Sequence, residues 1–475
     1  MRDGGEARAS HRPHLPRTDV APYRCDVRPV LWRETTAAPA FHLDPGALIE
    51  VTDGEPRRAE AIKKSLIALG YAASQVTQPS GAADAVIVTE GLATDAPEVR
   101  HWTALQAAKA ARCEHGVIIL LQDASQYTGL EGLSRTLRKE WPGTQTFAWT
   151  IPQGAADQVA YGFQHGYPDG EIIASGARVA PEPGASLEPT SSLPGATPSV
   201  WLVTGGARGV TAACAIELAR TAGGTILLAG RSAETPWPAD LPAAHDIKAL
   251  RGLLVERSRQ AGQRVTPAEI DRSARSLLAG AEIRETLTSI RATGAQAAYI
   301  AIDAGDSAAV SSAIFEAQRQ FGPITGWVHG AGVLADKLAM DKTEAELRRV
   351  FSPKVGGLMN ILAAIDPRQL RHIAFFSSAA AFFGNKGQSD YAMANALLAS
   401  AGRSLAQTVP GVRVKVFHWG PWAGGMVDSA LASHFEAQGI PLIPVDEGAR
   451  IFVNELLGGA PDQIELVVGE AWATA

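Results

Sequence analysis

The 475-residue sequence lacks any apolar run near the ~18 residues that a membrane-spanning helix needs. That absence argues against an integral membrane protein. It also lacks an excess of positive charge: 43 Lys and Arg against 49 Asp and Glu leave a net charge of −6. No basic field is therefore available to hold nucleic acid or an anionic membrane. Cysteine is scarce, and Cys25, Cys113 and Cys214 stand far apart with no CxxC pairing. Neither a disulfide framework nor a cysteine zinc site is expected, and no metal is assigned. The opening residues MRDGGEARASHRPHLPR are polar and have no apolar core, so they do not read as a secretory signal. A cytoplasmic location is the expectation. Aromatic residues reach only 6%, whereas glycine is plentiful at 47 residues and hydrophobic residues make up 46%, enough for sizeable cores. The question is where the glycines sit.

Residues 1–20, rich in Arg, His and Pro, read as a disordered lead-in. From 21 to 180, short β-like runs such as DAVIVTE, GVIILLQ and TFAWTI alternate with helical stretches, which predicts a βαβ layer. This half has no strand, glycine loop and helix in succession, so it reads as a dinucleotide fold without a dinucleotide site. Residues 181–199 (PEPGASLEPTSSLPGATPS) carry Pro, Ser and Gly without periodicity and read as a linker. From 200 to 475 the alternation strengthens into six or seven apolar strands, each followed by a helix, with a helical insertion at about 240–292. The predicted fold is α/β: a truncated half followed by a complete, doubly wound parallel sheet.

The first strand of the second half runs into Thr204-Gly205-Gly206-Ala207-Arg208-Gly209-Val210-Thr211 and then a helix. Glycine there lets the backbone approach a pyrophosphate, and the helix N-terminus supplies unpaired N–H groups. The segment resembles the TGxxxGxG loop of short-chain dehydrogenases/reductases, with Thr211 where the last glycine is expected. Arg231 and Ser232 follow the second strand, where an Arg suits a 2′-phosphate, so Arg231, with Arg208, favours NADPH over NADH. Asp303 closes the third strand and suits the adenine edge. His329-Gly330-Ala331-Gly332 closes the fourth, and its small residues would let the chain pass beside the ribose.

Lys354 lies on the helix after the fourth strand, Ser378 ends the fifth, and Tyr391 follows 13 residues later. Asn395 falls four residues after Tyr391, on the same helix face. Short-chain reductases use Ser, Tyr, Lys and Asn together. Lysine upstream, with Asn in the YxxxN position, resembles the ketoreductase domains of type I polyketide synthases and related fatty-acid megasynthases. FFSSAAAFFGNKGQSDYAMANALLA, VHGAGVLADKL and VFHWGPWAGGM carry that resemblance, and LEGLSRTLRKEWPG resembles the cofactor-free structural subdomain of the same proteins. The insertion, and GGARGVTA in place of GGxGGLG, are similar to ketoreductases of iterative enediyne and polyunsaturated-fatty-acid synthases.

The resemblance implies NADPH-dependent reduction of the 3-keto group of an acyl-carrier-protein thioester, with the carrier protein and other synthase domains as partners. It implies that Tyr391 is the acid, lowered by Lys354, that Ser378 binds the carbonyl oxygen, and that Asn395 positions Lys354 or a water. For stereocontrol, Leu334-Ala335-Asp336 keeps the last Asp of an LDD motif, and Phe383 stands where the alternative type carries Trp. Both favour the D-3-hydroxyacyl product. A lid is expected at about 424–440, with Met426 among its apolar contacts. Two other readings stay open: a free-standing carbonyl reductase of small ketones, and a reductively silent scaffold domain.

Overall fold

The computed structural model describes residues 24–32, 39–172, 178–186, 199–244, 246–425, 429–437 and 440–469. The expected lead-in at 1–20 and the lid residue Met426 lie outside them. The strands are β1 (Arg24–Trp32), β2 (Leu48–Thr52), β3 (Ala72–Val76), β4 (Ala85–Val88) and β5 (Val117–Asp123). They continue as β6 (Gln145–Ile151), β7 (Gly170–Ile172), β8 (Arg178–Ser186), β9 (Val200–Thr204) and β10 (Thr225–Gly230). The last five are β11 (Gln296–Ala301), β12 (Ile324–His329), β13 (His372–Ser378), β14 (Arg413–Trp419) and β15 (Glu465–Val468).

All of them join one sheet in the order β11-β10-β9-β12-β13-β14-β15-β1-β8-β7-β6-β5-β4-β2-β3. From β11 to β15 every neighbour pair is parallel. Counted along the chain, these seven strands read 3-2-1-4-5-6-7, a doubly wound sheet whose switch point lies between β9 and β12. From β3 to β7 the strands are again parallel, in the order 2-1-3-4-5-6, so this half lacks one outer strand. Both expected Rossmann-like halves are present. Strands β4 and β5 are buried at every position, as apolar strands covered by helices on both faces must be.

Antiparallel β1 stitches the halves together, pairing with β15 on one side and β8 on the other. The stretch expected to be a linker from residue 181 therefore begins in a strand, since β8 runs to Ser186. Its PEPGAS segment has no strand periodicity of its own; the free edge of β1 supplies the ladder. The remaining linker residues, 187–198, lie outside the described residues.

Helix Leu130–Glu140 of the first half lies on helix Ser389–Thr408 of the second at backbone distance. A Cβ on Gly132 would stand 2.4 Å from the Ala392 carbonyl oxygen, and one on Gly129 2.2 Å from that of Met393. Leu130, Leu133 and Leu137 then share one core with Met393, Leu397 and Leu398. The insertion forms helices Ile247–Gln260 and Pro267–Ala292, the second opened by a Thr266/Glu269 capping box, over a small core of its own.

In the first half, Arg58 pairs with Asp123 at the end of β5 and donates to the Pro152 carbonyl, bridging the strand ends.

Candidate active site

The ends of β9, β10, β11 and β12 surround a cavity of about 120 Å³ lined by Thr204, Gly205, Arg231, Asp303, Ala331 and Gly332, among others. Gly205 has φ +74°, and a Cβ there would stand 2.9 Å from the backbone of Gly330 and Ala331, so only glycine lets the two strand ends close this tightly. Helix Gly209–Ala222 opens immediately beyond, and its first N–H groups have no partner within the helix. Arg231 is exposed at the rim, and Asp303, also exposed, accepts from the Gly305 N–H. The carbonyl of Ser232 takes the Tyr299 hydroxyl at 2.6 Å. A glycine cradle, a helix N-terminus and a basic rim fit a phosphorylated dinucleotide.

Other residues expected here are placed differently. Arg208 is ion-paired with Glu282 on the insertion helix. Gly206 is a packing glycine, since a Cβ there would meet Val203. His329 is fully buried, with Nδ1 2.7 Å from the Thr204 hydroxyl and Nε2 2.8 Å from the Lys354 carbonyl. Burial pushes its pKa down to about 3, so the ring is neutral, and Nε2 must donate because a carbonyl only accepts. His329 thus clamps the backbone at Lys354 and does not face the cavity. Thr211, the departure from the glycine loop, packs against Gly330, where a Cβ would stand 2.6 Å from its methyl group. The small residue opposite makes room for the larger one.

A second cavity of about 170 Å³ adjoins the first and is lined by Val210, Leu334, Lys354, Ser378, Tyr391 and Trp422, among others. The helix expected to carry Lys354 is interrupted. Glu344–Phe351 and Gly357–Ala364 are α-helical, while Ser352–Gly356 forms a π-helical turn around Pro353. Proline has no N–H for the ladder, and the widened turn carries Lys354 toward the cavity. Its ammonium donates to the Phe376 carbonyl at 2.8 Å and lies 5.7 Å from the Tyr391 ring centroid. Burial pushes its pKa down to about 7. The expected lowering of the Tyr391 pKa by Lys354 is not seen: burial leaves it raised on balance, although the Asn395 and Ser378 side chains pull it down. Asn395 donates to the Tyr391 carbonyl at 2.8 Å, and its Oδ1 is a buried acceptor with no donor among the described residues. The structure brings Ser378, Tyr391, Lys354 and Asn395 together.

Leu334 lines this cavity, whereas Asp336 accepts from Gln388 at 3.0 Å just outside it. Phe383 packs on Phe382 and Val467 and does not reach it. Trp419 and Trp422 are buried in the core and also form a cavity wall. A buried pair that sequence reasoning misses is Lys342–Asp390, at 2.9 Å. Lys342 also takes the Ala335 carbonyl at 2.6 Å, tying the loop after β12 to the residue beside Tyr391. The hint is a charged residue next to the tyrosine at the start of an Ala-rich helix.

Comparison with known proteins agrees with this geometry. The family model of the KR domain matches residues 199–424. A polyunsaturated fatty acid synthase component from Thraustochytrium sp. is 38% identical over 304 residues, 62% of this chain and 10% of that protein. Polyketide synthase PksL of Bacillus subtilis is 30% identical over 210 residues, 44% of this chain and 4% of that protein. The chain thus spans a small fraction of these relatives. Among solved structures, A-type ketoreductases from a modular polyketide synthase align with a TM-score of 0.70 at 20% identity, over 94% of this chain and 93% of theirs. A ketoreductase domain from the bacillaene assembly line gives 0.63 at 20% identity, over 95% and 97%. These structures share the two-half fold. Residues 199–424 are thus similar to the KR domain.

Proposed function

We propose that this protein reduces the 3-keto group of an acyl chain held as a thioester on an acyl carrier protein, using NADPH, within a larger synthase. The observation that carries this reading is the convergence of Ser378, Tyr391 and a buried Lys354 on one cavity beside the glycine cradle. When bound, NADPH would supply the hydride, and the protein supplies orientation and the proton. Ser378 holds the carbonyl oxygen and stabilises its developing charge. Tyr391 donates the proton from Oη. An ordinary phenol, with a pKa of about 10, is too weak an acid near neutrality; the Lys354 ammonium beside it favours the phenolate. Asn395 offers its unpartnered Oδ1 to Lys354 or to a water. The similarity to the Thraustochytrium synthase supports the polyunsaturated-fatty-acid branch, and Leu334 and Asp336 support a D-hydroxy product.

The test is turnover of a 3-oxoacyl pantetheine thioester against a small cyclic ketone. Preference for the thioester is the expected result; turnover of the cyclic ketone alone would point to a free-standing reductase.

Two further outcomes follow from the site. Arg231 supplies a charge-assisted contact to the 2′-phosphate, an interaction typically of about 1.5–3 kcal/mol. Arg231→Ala should therefore reduce the preference for NADPH over NADH by roughly 10- to 100-fold. An unchanged preference would remove Arg231 from the site. The pH dependence has a definite sign. Lys354 assists as the ammonium, and burial has lowered its pKa to about 7. The kcat/KM for reduction, which reports on the free enzyme, should fall as pH rises through that value. A kcat/KM flat from pH 6 to about 9 would contradict the role given to Lys354.

A further inference from the structure

Helix Ser389–Thr408 is held from behind by a chain of buried polar groups that the proposed chemistry leaves unused. Ser377, next to Ser378 in β13, has its Oγ 3.0 Å from the main-chain carbonyl oxygen of Asn395 and 3.1 Å from Nδ1 of His418. Nε2 of His418 lies 2.8 Å from one carboxylate oxygen of Glu465, and the other accepts from Arg403 at 2.6 Å. Arg403 also reaches Glu131 of the first half at 3.6 Å. Ser377, His418 and Glu465 are 4%, 2% and 4% exposed, so bulk water cannot substitute for these partners.

Counting hydrogens along this chain fixes its protonation. The Asn395 carbonyl only accepts, so the hydrogen between it and Ser377 must be the hydroxyl's own. Ser377 Oγ then presents only lone pairs to His418, and the hydrogen in that 3.1 Å contact must sit on Nδ1. On its other side the ring faces a carboxylate. Nε2 lies 2.8 Å from one Glu465 oxygen, and the other oxygen accepts from the Arg403 guanidinium at 2.6 Å, which holds the carboxylate ionised, so Nε2 donates as well. The alternative, with the hydroxyl turned onto a neutral ring, leaves two oxygen acceptors 3.0 Å apart with no hydrogen between them.

Charges alternate along the chain: Glu131, Arg403, Glu465 and a charged His418. The groups facing His418 are Glu465 from β15, Ser377 from β13 and the Phe382 ring, 5.6 Å away, from helix Ala379–Phe383. Arg403 stands behind Glu465 from the catalytic helix itself.

We propose that His418 is a buried imidazolium whose Nδ1 proton turns the Ser377 hydroxyl onto the Asn395 carbonyl and so positions the catalytic helix. His418 is a positioning residue. It acts through Ser377, and the Glu131–Arg403 contact carries the brace into the cofactor-free half. The role of Asn395 rests on the proposed function; the protonation of His418 does not.

Two measurements test this. In protein carrying ¹⁵N in its histidine rings, with His418→Gln to assign the signal, both ring nitrogens of His418 should bear hydrogen at neutral pH. A singly protonated ring would overturn the proposal. Ser377→Ala should then lower kcat for a 3-oxoacyl pantetheine thioester about tenfold, with NADPH affinity unchanged, and Ser377→Thr, which keeps the hydroxyl, should restore it. A lowered Tm with unchanged kcat would reduce Ser377 to a structural role and overturn the positioning claim. Were wild type inactive on the thioester, the proposed function would fail while the ring measurement still decided the state of His418.

Discussion

Tyr391→Phe should lower reduction of a 3-oxoacyl thioester by roughly a thousandfold, within the range that general acid catalysis contributes. The substitution removes one oxygen and leaves the ring where it packs, so neither a cavity nor a lost apolar contact confuses the result. Binding of NADPH should be unchanged, because the glycine cradle and Arg231 lie at the ends of β9 and β10, away from the phenol. The size of the effect follows from the absence of a substitute acid. Lys354 is tied to the Phe376 carbonyl, and Ser378 accepts from the Ala380 N–H as the cap of the next helix. Neither is poised to deliver a proton in place of Tyr391. Single-turnover NADPH oxidation, followed by absorbance, checks it. Turnover within a few-fold of wild type would contradict the assignment of the acid.

Gly132→Ala should be among the most damaging single changes outside the cavity, although it adds only one carbon. Gly132 lies in the first half, yet a Cβ there would stand 2.4 Å from the oxygen and 2.5 Å from the carbon of the Ala392 carbonyl. Ala392 follows Tyr391, so the two helices must separate and Tyr391 must move with them. Overpacking of this kind costs about 1–3 kcal/mol, and more where backbone meets backbone on both sides. Thermal unfolding should show a Tm lowered by several degrees, and activity should fall further than the loss of folded protein explains. Gly252→Ala is the control. Gly252 lies on the insertion helix Ile247–Gln260 with open space around its Cβ position, and the change should stabilise by about 0.5–1 kcal/mol. If Gly132→Ala were as harmless as Gly252→Ala, the close contact between the halves would carry no weight.

The parts of this protein that are legible in its sequence are those whose geometry is local. Tyr391 and Asn395 are four residues apart on one helix, and Gly205 and Gly209 flank one turn; periodicity and residue type suffice for both. The alternation of apolar strands and helices likewise predicts the doubly wound second half and the incomplete first. Lys354 is reached only by resemblance, and even so the π-helical turn that aims it is not visible, because its neighbours have ordinary helical spacing and only Pro353 marks the break. The His418–Glu465 pair is separated by 47 residues and meets only because β14 and β15 pair in parallel register. Arg208 has a partner that its position in the glycine loop does not reveal, since the insertion brings Glu282 beside it. Strand β8 is hidden in the same way, since its ladder comes from β1 and not from its own pattern.

Whether residues 199–424 act as a ketoreductase is tested most directly by following wild-type protein with NADPH and a 3-oxoacyl pantetheine thioester. The cavity formed by Ser378, Tyr391 and Lys354 predicts equimolar NADPH oxidation and 3-hydroxyacyl thioester formation. Tight NADPH binding with no oxidation on the thioester would contradict it and leave a reductively silent domain.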